Sequence, residues 1–312
     1  MLMRKQTAGM GAVAVCLKKG RVDVARITRA ADAQPVLEIC ASEQIEGSEA
    51  DTLSRLRRKF SLNRANCVTL IPEGDYQLQV MDAPEVPDEE LKDAVRWRLK
   101  DVLDYPADAA TIDVFTLPAD PNAPTRTRSV YAVAARNELI ADRMAAFYEA
   151  RLLLDVIDIP EMAQRNMAKL YETPGRALAL LHLSAERGLL TFTADGELYL
   201  ARGIDISLAQ LGHAEGDLRQ QLLDRLVLEV QRSLDHFDRQ FSYLTLSRLI
   251  LAPSPEDSGL QAYLSENLDV PVEEARLQDA IDISGVPELA SRTMQADYFM
   301  AIGAALRQES GA

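Results

Sequence analysis

Apolar residues return every three or four positions at Leu91, Val95, Leu99, Val102 and Leu103. That spacing predicts a helix with one apolar stripe. Asp88, Glu89 and Glu90 follow Pro87 and place negative charge at the helix start, where the backbone dipole favours it. A turn marked by Pro106 leads to a strand through Ile112, Val114, Phe115 and Leu117, which ends at Pro118. Trp97, the only Trp in the chain, falls about 240° round from Leu91, off the stripe. Trp is mostly buried in folded proteins, so a neighbouring domain or loop is expected to cover it. The alternative is that it belongs to a partner surface, because exposed aromatics are favoured anchors.

The same reading runs along the chain. Strands are predicted at 11–17 and 21–27, joined by the turn Lys18-Lys19-Gly20, and at 35–41. A helix at 49–60 carries Leu53, Leu56 and Phe60 on one face, with Arg55, Arg57, Arg58 and Lys59 as its solvated remainder. Strands follow at 67–71 and 76–81. Beyond the 91–118 stretch come a Pro-rich loop at 119–128 and a strand at 130–134. A helix at 137–152 runs through Leu139, Ile140, Met144, Phe147 and Leu152. A strand at 154–159 and a helix at 161–171 precede the break Thr173-Pro174-Gly175.

The opening pattern then returns. Strands at 176–183, 189–193 and 197–203 are joined by short turns, as in the first half. A structural repeat is expected from this. A long helix at 217–241 follows, then a strand at 248–251, a helix at 259–266 and a strand at 270–272. The last helix, 297–307, holds Ala301, Gly303, Ala304 and Ala305, whose small size predicts close packing on a sheet.

Length and charge narrow the function. A chain of 312 residues exceeds one ordinary core, so two lobes are expected. Net charge is −14, which disfavours nucleic acid and anionic lipid as partners. Cys16, Cys40 and Cys67 form no C-x-x-C pair, which argues against a zinc site or disulfide framework and for a reducing compartment. Arg4, Lys5 and Gln6 interrupt the N-terminus before a signal peptide could form, and no apolar run is long enough to span a bilayer. The sequence therefore predicts a cytoplasmic protein, or one peripheral to a membrane through a partner.

Catalytic signatures are absent. There is no G-x-S-x-G elbow and no Walker loop. Gly9-x-Gly11 precedes a strand, not a helix, so it is no dinucleotide loop. His182, His213 and His236 are each isolated, and His182 reads as a core residue of a strand. The acidic groups Asp88/Glu89/Glu90 and Glu273/Glu274 read as solvated charge. No catalytic, cofactor-binding or metal-binding residue is assigned.

Three segments carry a resemblance. They are 91–118, with AVRWRLKDVLDYPADAATIDVF at its centre, 231–235 (QRSLD) and 301–307 (AIGAALR). Together they resemble the PilM-like actin-fold assembly proteins of type IV pilus systems, and within them the MshI-type branch that serves mannose-sensitive haemagglutinin (MSHA) pili. The resemblance implies a mixed α/β, actin/FtsA-like fold of two lobes. The first lobe would hold 8–72 and 153–174, with 75–152 as an inserted α/β subdomain. The second would be 176–312, with a helical part at 215–242.

Nucleotide-binding members of that family cradle phosphate at the first hairpin turn of each lobe and place a Gly-rich loop near the adenosine. Here the first turn is Leu17-Lys18-Lys19-Gly20, without Asp-x-Gly-Ser. The second is Leu183-Ser184-Ala185-Glu186-Arg187-Gly188, without Asp-x-Gly. The third begins Leu251-Ala252-Pro253-Ser254-Pro255 where Gly-Gly would stand. No ATP-site residue is carried over, and ATP–Mg²⁺ is disfavoured as a cofactor. The resemblance then implies a non-catalytic scaffold that links the tail of a PilN-like inner-membrane protein to the pilus assembly ATPase. That tail would dock between the first lobe and the inserted subdomain, with Trp97 and Arg98 as candidate contacts. The alternative is a nucleotide-dependent switch or weak ATPase. Self-association is compatible with the fold, but the sequence marks no surface for it.

Overall fold

The computed structural model describes residues 12–29, 33–120, 122, 128–255 and 258–308. Gly9-x-Gly11, most of the 119–128 loop and residues 256–257 of the third turn lie outside them. Strands β1 (Val13–Lys18), β2 (Arg21–Thr28) and β3 (Val36–Gln44) form an antiparallel meander. Gly20 takes φ +80° in the first turn, a conformation open to glycine and strained for other residues. Helix α1 (Glu49–Lys59) starts on a capping box in which Ser48 and Asp51 satisfy each other's backbone amides. Strand β4 (Asn66–Leu70) then runs parallel to β1.

The chain leaves this sheet to build β5 (Tyr76–Asp82), helix α2 (Asp88–Leu99), β6 (Ala110–Thr116), β7 (Ser129–Arg136) and α3 (Asn137–Glu149). The three strands form their own antiparallel sheet, β5-β7-β6. The chain returns as β8 (Leu153–Asp158), parallel to β4, and α4 (Pro160–Ala168). The second half supplies β9 (Ala177–Leu183), β10 (Gly188–Ala194), β11 (Glu197–Ile204), α5 (Leu208–His213) and α6 (Gly216–Gln240). It ends with β12 (Leu246–Leu251), α7 (Leu260–Asn267), β13 (Val272–Glu274), α8 (Leu277–Ala280) and α9 (Arg292–Ala305).

The two five-stranded sheets repeat one plan. The first has the order β3-β2-β1-β4-β8 and the second β11-β10-β9-β12-β13. In both, the first three strands are antiparallel and the last two join in parallel. The fold is mixed α/β and actin-like.

Two helices are exchanged between the sheets. Helix α4 belongs to the first half of the chain, yet its buried Gln164 donates to the carbonyls of Leu180 (2.7 Å) and Leu189 (3.1 Å) in the second sheet. Helix α9 closes the chain and packs on the first sheet, sharing a core with Ala14, Cys16, Ala25 and Val68. The helices meet where Asn166 donates to the Gly303 carbonyl at 2.9 Å. A Cβ on Gly303 would overlap the Ala163 carbonyl, so only glycine permits this approach.

The small sheet is a filling between two layers. Along β7 the side chains alternate. Val130, Ala132 and Ala134 share a core with Val95 and Leu99 of α2. Tyr131 faces the other way, into the core of the second five-stranded sheet. Its hydroxyl accepts the Ala201 amide of β11 at 3.0 Å, and its ring stacks on Phe115. Helix α2 is therefore the outer layer.

Several sequence expectations need correction. Helix α2 ends at Leu99, so Val102 leaves the stripe and is 49% exposed. Met144 of α3 is likewise exposed. Helix α9 begins at Arg292 rather than at 297, and β13 spans 272–274 rather than 270–272. The short helices α5 and α8 escaped the periodicity reading because neither is long enough to show a stripe.

Candidate docking site

The hairpin turns come first, because phosphate chemistry would sit there. On the first, Lys18 Nζ lies 2.7 Å from Asp23 Oδ2 and donates to the Asp297 carbonyl of α9 at 2.9 Å. Arg21 approaches the other oxygen of Asp23 at 3.1 Å, and Asp23 is fully buried. The lysine is thus spent on an internal carboxylate. On the second turn the Ser184 hydroxyl accepts the amides of Glu186 (3.2 Å) and Arg187 (3.1 Å) and donates to the Arg187 carbonyl (2.9 Å). Those amides already have a partner. In the third, Pro253 and Pro255 supply no N–H. Among the described residues no group of three or more His, Cys, Asp or Glu could hold a metal ion. The residues present do not fit a magnesium nucleotide.

Between the small sheet and both lobes lies a joint of ionisable groups. Tyr76 at the start of β5 donates its hydroxyl to Glu161 Oε2 of α4 at 2.6 Å. Glu73, in the link from β4 to β5, sits 3.4 Å from Arg187 of the β9–β10 turn, which also reaches Asp205 at 3.6 Å. Burial pushes the Glu73 carboxyl up to about 7, against the opposing pull of Arg187. Burial also raises Glu161, opposed by the hydrogen bond from Tyr76. Sequence reasoning missed these residues. Glu73 and Tyr76 are near in sequence, but their partners are remote, with Tyr76 and Glu161 85 positions apart. His182 is buried in β9 with its ring stacked on Phe299 at 5.5 Å, and burial lowers its pKa to about 4.

The outer helix carries the remaining feature. Trp97 is 73% exposed, so the cover expected for it is not there. The expectation fails because α2 is the outer layer and, among the described residues, no element lies above Trp97. The Lys100 ammonium stands 5.5 Å from its indole centroid. Beyond Leu99 the chain turns back on itself, with the amides of Val102 and Leu103 both donating to the Leu99 carbonyl at 3.0 Å. Arg96 donates to the carbonyls of Ala107 and Ala110, each at 2.9 Å, and ties the returning loop to the helix. Helix end and loop enclose an open groove of about 530 Å³, lined by Trp97, Lys100, Leu103, Asp104, Tyr105 and Asp108 among others. Arg136 lies 4.0 Å over the Tyr105 ring and 3.5 Å from Asp104. Arg98 lies outside the groove, where it donates to the Asp82 carbonyl at 2.6 Å and fastens α2 to the end of β5.

Residues 11–204, more than half of the chain, match the family model of the type IV pilus assembly protein PilM. The chain belongs to the PilM family. Solved structures agree at the level of fold. A chain of the PilM–PilN type IV pilus biogenesis complex is similar with a TM-score of 0.74 and 20% identity, over 95% of this PilM-family chain and 98% of that one. The cytoplasmic domain of EpsL, an inner-membrane component of the type II secretion system of Vibrio cholerae, is similar with a TM-score of 0.50. Its identity is 14%, over 89% of this chain and 93% of that one. No curated protein matches the chain by sequence. Among the described residues, no helix of this PilM-family chain is long and apolar enough to cross a membrane.

Proposed function

We propose that this PilM-family protein is a non-catalytic scaffold of a type IV pilus assembly platform, of the MSHA type. It works at the cytoplasmic face of the inner membrane. It links the short cytoplasmic tail of a PilN-like membrane protein to the assembly ATPase. Residues 8–72 and 153–174 serve as one actin-like lobe and 176–312 as the other. Residues 75–152 act as an inserted subdomain that presents the partner surface, with Trp97 as anchor and Arg98 beside it.

The observation that carries this reading is the position of Trp97. A lone Trp, 73% exposed, stands over a groove whose walls are fixed by Arg96, while the hairpin turns are filled by their own side chains. A chain of similar fold occurs in a complex of PilM with PilN, which supports a partner of that kind. The test is co-purification with the PilN-like partner, comparing Trp97→Ala with the unaltered protein. A buried aromatic anchor costs about 2 kcal/mol or more on truncation, so affinity should fall at least about thirtyfold. Undiminished binding by a variant with unchanged circular dichroism removes Trp97 from the interface.

A further inference from the structure

The net charge of −14 hides a local exception. Residues 52–72 hold Arg55, Arg57, Arg58, Lys59 and Arg64 and no Asp or Glu. They run from α1 through the link that follows it and β4. Among the described residues, only Lys59 of the five meets a carboxylate, Glu43 at 2.6 Å. Arg55, Arg57 and Arg58 bond to neutral acceptors, the Glu46 carbonyl, the Asn63 side chain and the Ser54 carbonyl. Cations in a last helical turn suit the helix dipole, but Arg64 lies beyond α1.

The sheet gathers more charge at the same place. Val13 of β1 pairs with Arg26 of β2 and Cys67 of β4, and Asn66 of β4 pairs with Leu153 of β8. The starts of β1, β4 and β8 and the end of β2 thus lie at one end of the first sheet, away from the Lys18 turn. Arg26 reaches from β2 to the Phe60 carbonyl at 3.3 Å. Arg151 lies between α3 and β8, its amide bonded to the Tyr148 carbonyl at 2.9 Å. Two carboxylates, Glu149 and Asp155, stand near Arg151 in sequence, and Glu38 belongs to β3, at the far edge of the sheet from β8. Arg26, Arg57, Arg58, Arg64 and Arg151 outnumber them. Apolar side chains border these cations. Tyr148 is 84% exposed, Leu153 57% and Met144 56%. Met144 and Tyr148 share the outer side of α3, whose inner Phe147 packs in one core with Leu53, Leu56 and Leu62.

We propose that this end of the first lobe, the end of α1 with its link and the end of α3, lies on an anionic bilayer surface. Arg58, Arg64 and Arg151, all exposed, meet the headgroup phosphates, and Tyr148 and Leu153 enter the interfacial layer. Clustered Lys and Arg are drawn to anionic headgroups, and Tyr concentrates where the apolar layer meets water. An acidic protein segment would use the cations but leave the bare Tyr and Leu without a role. The distant carboxylates of the chain do not cancel the attraction, because charges are screened beyond about 8 Å at physiological salt. The inference goes beyond the scaffold reading, since it gives the protein a contact of its own with the bilayer, and it does not involve Trp97.

The full chain, without any partner, would be floated with vesicles of phosphatidylcholine or of an equal mixture of phosphatidylcholine and phosphatidylglycerol. Binding is expected to the mixed vesicles alone. Raising salt from about 50 mM to about 500 mM should weaken it about tenfold. Arg58→Gln, Arg64→Gln and Arg151→Gln combined should weaken it about a hundredfold, at about fivefold per cation, with melting unchanged. Lys at the same three positions should restore it, because headgroups read charge. Tyr148→Ser should weaken it about fivefold, because the ring no longer leaves water. Arg202→Gln, Arg225→Gln and Arg239→Gln combined remove as much charge from exposed positions in the second half, and should leave binding unchanged. Equal losses in the two triple variants would show that net charge alone decides, and overturn the assignment. Binding to both kinds of vesicle, or to neither, overturns it as well. So does a Glu-rich peptide that binds through Arg58, Arg64 and Arg151 while no vesicle does, since the face would then belong to a protein partner. The scaffold reading is tested separately, by co-purification with Trp97→Ala, and each result can fail without the other.

Discussion

Glu73 is a carboxyl placed where its charge is costly. Its side chain is 23% exposed, and burial lifts its pKa to about 7, above the ordinary 4.5. The folded state therefore binds more protons than the unfolded chain between those two values. Stability contributed by this group is full below about 4.5, declines as pH rises toward about 7, and is flat above. Glu73→Gln keeps the neutral shape. Relative to the unaltered protein, it should gain about 1–3 kcal/mol in denaturant melts as pH goes from 5 to 8. A gap that stays constant with pH removes Glu73 as the source. His182 works in the opposite sense, since its folded pKa of about 4 costs stability as pH falls through 6.5, so the variant comparison is what isolates Glu73. Neither Glu73 nor its neighbours Glu161, Tyr76 and Arg187 could be picked out of the sequence. Nothing local distinguishes a glutamate in a loop from one that three separate segments will enclose. Trp97 was half legible. Its phase relative to Leu91 put it off the apolar stripe, but only the stacking order of α2, the small sheet and the second five-stranded sheet leaves it bare.

At the scale of elements, the contact of α4 with α9 is the most demanding. Gly303→Ala places a Cβ against backbone, at the Ala163 carbonyl, and backbone has no rotamer to retreat into. The helices must separate, at a cost of about 1–3 kcal/mol in thermal or urea denaturation. Gly212→Ala in α5 has open space around its Cβ and should be neutral or slightly stabilising. Equal effects at the two sites would show that the crossing is not sterically tight. The run of small residues near the C-terminus announced close packing, and α9 does pack closely. Sequence pointed to a sheet as its neighbour, whereas the tightest point is another helix. Side-chain size tells how near a neighbour can come and not which neighbour it is. The end of α2 shows a similar limit. Val102 and Leu103 fit the helical period, but the turn that builds the groove begins at Lys100 and needs the remote carbonyls of Ala107 and Ala110 to fix it through Arg96.

At the scale of the whole molecule, the repeated strand pattern was readable, since both halves open with the same alternation and turns. The matching sheet orders are its structural counterpart. The first two hairpin turns, where phosphate would be expected to sit, are bonded within the protein. Millimolar ATP with Mg²⁺ should leave the melting temperature unchanged. A working site would add about 2.7 kcal/mol at a ligand concentration 100 times Kd. Such a shift, or heat released on titration, would restore the switch reading. Which sheet each helix covers was not legible, because periodicity marks an apolar face without naming what it meets.

The exchange of α4 and α9 sets an order of events during synthesis. When residue 291 has left the ribosome, every strand of the first sheet has been made, and the helix that covers its inner face has not. Ala14, Ala25 and Val68 share a core with α9 and are made well before it. Until α9 is made, the first sheet lacks part of the apolar cover it has in the folded protein, the kind of surface that chaperones hold. Its completion is timed by α9 and not by its own last strand.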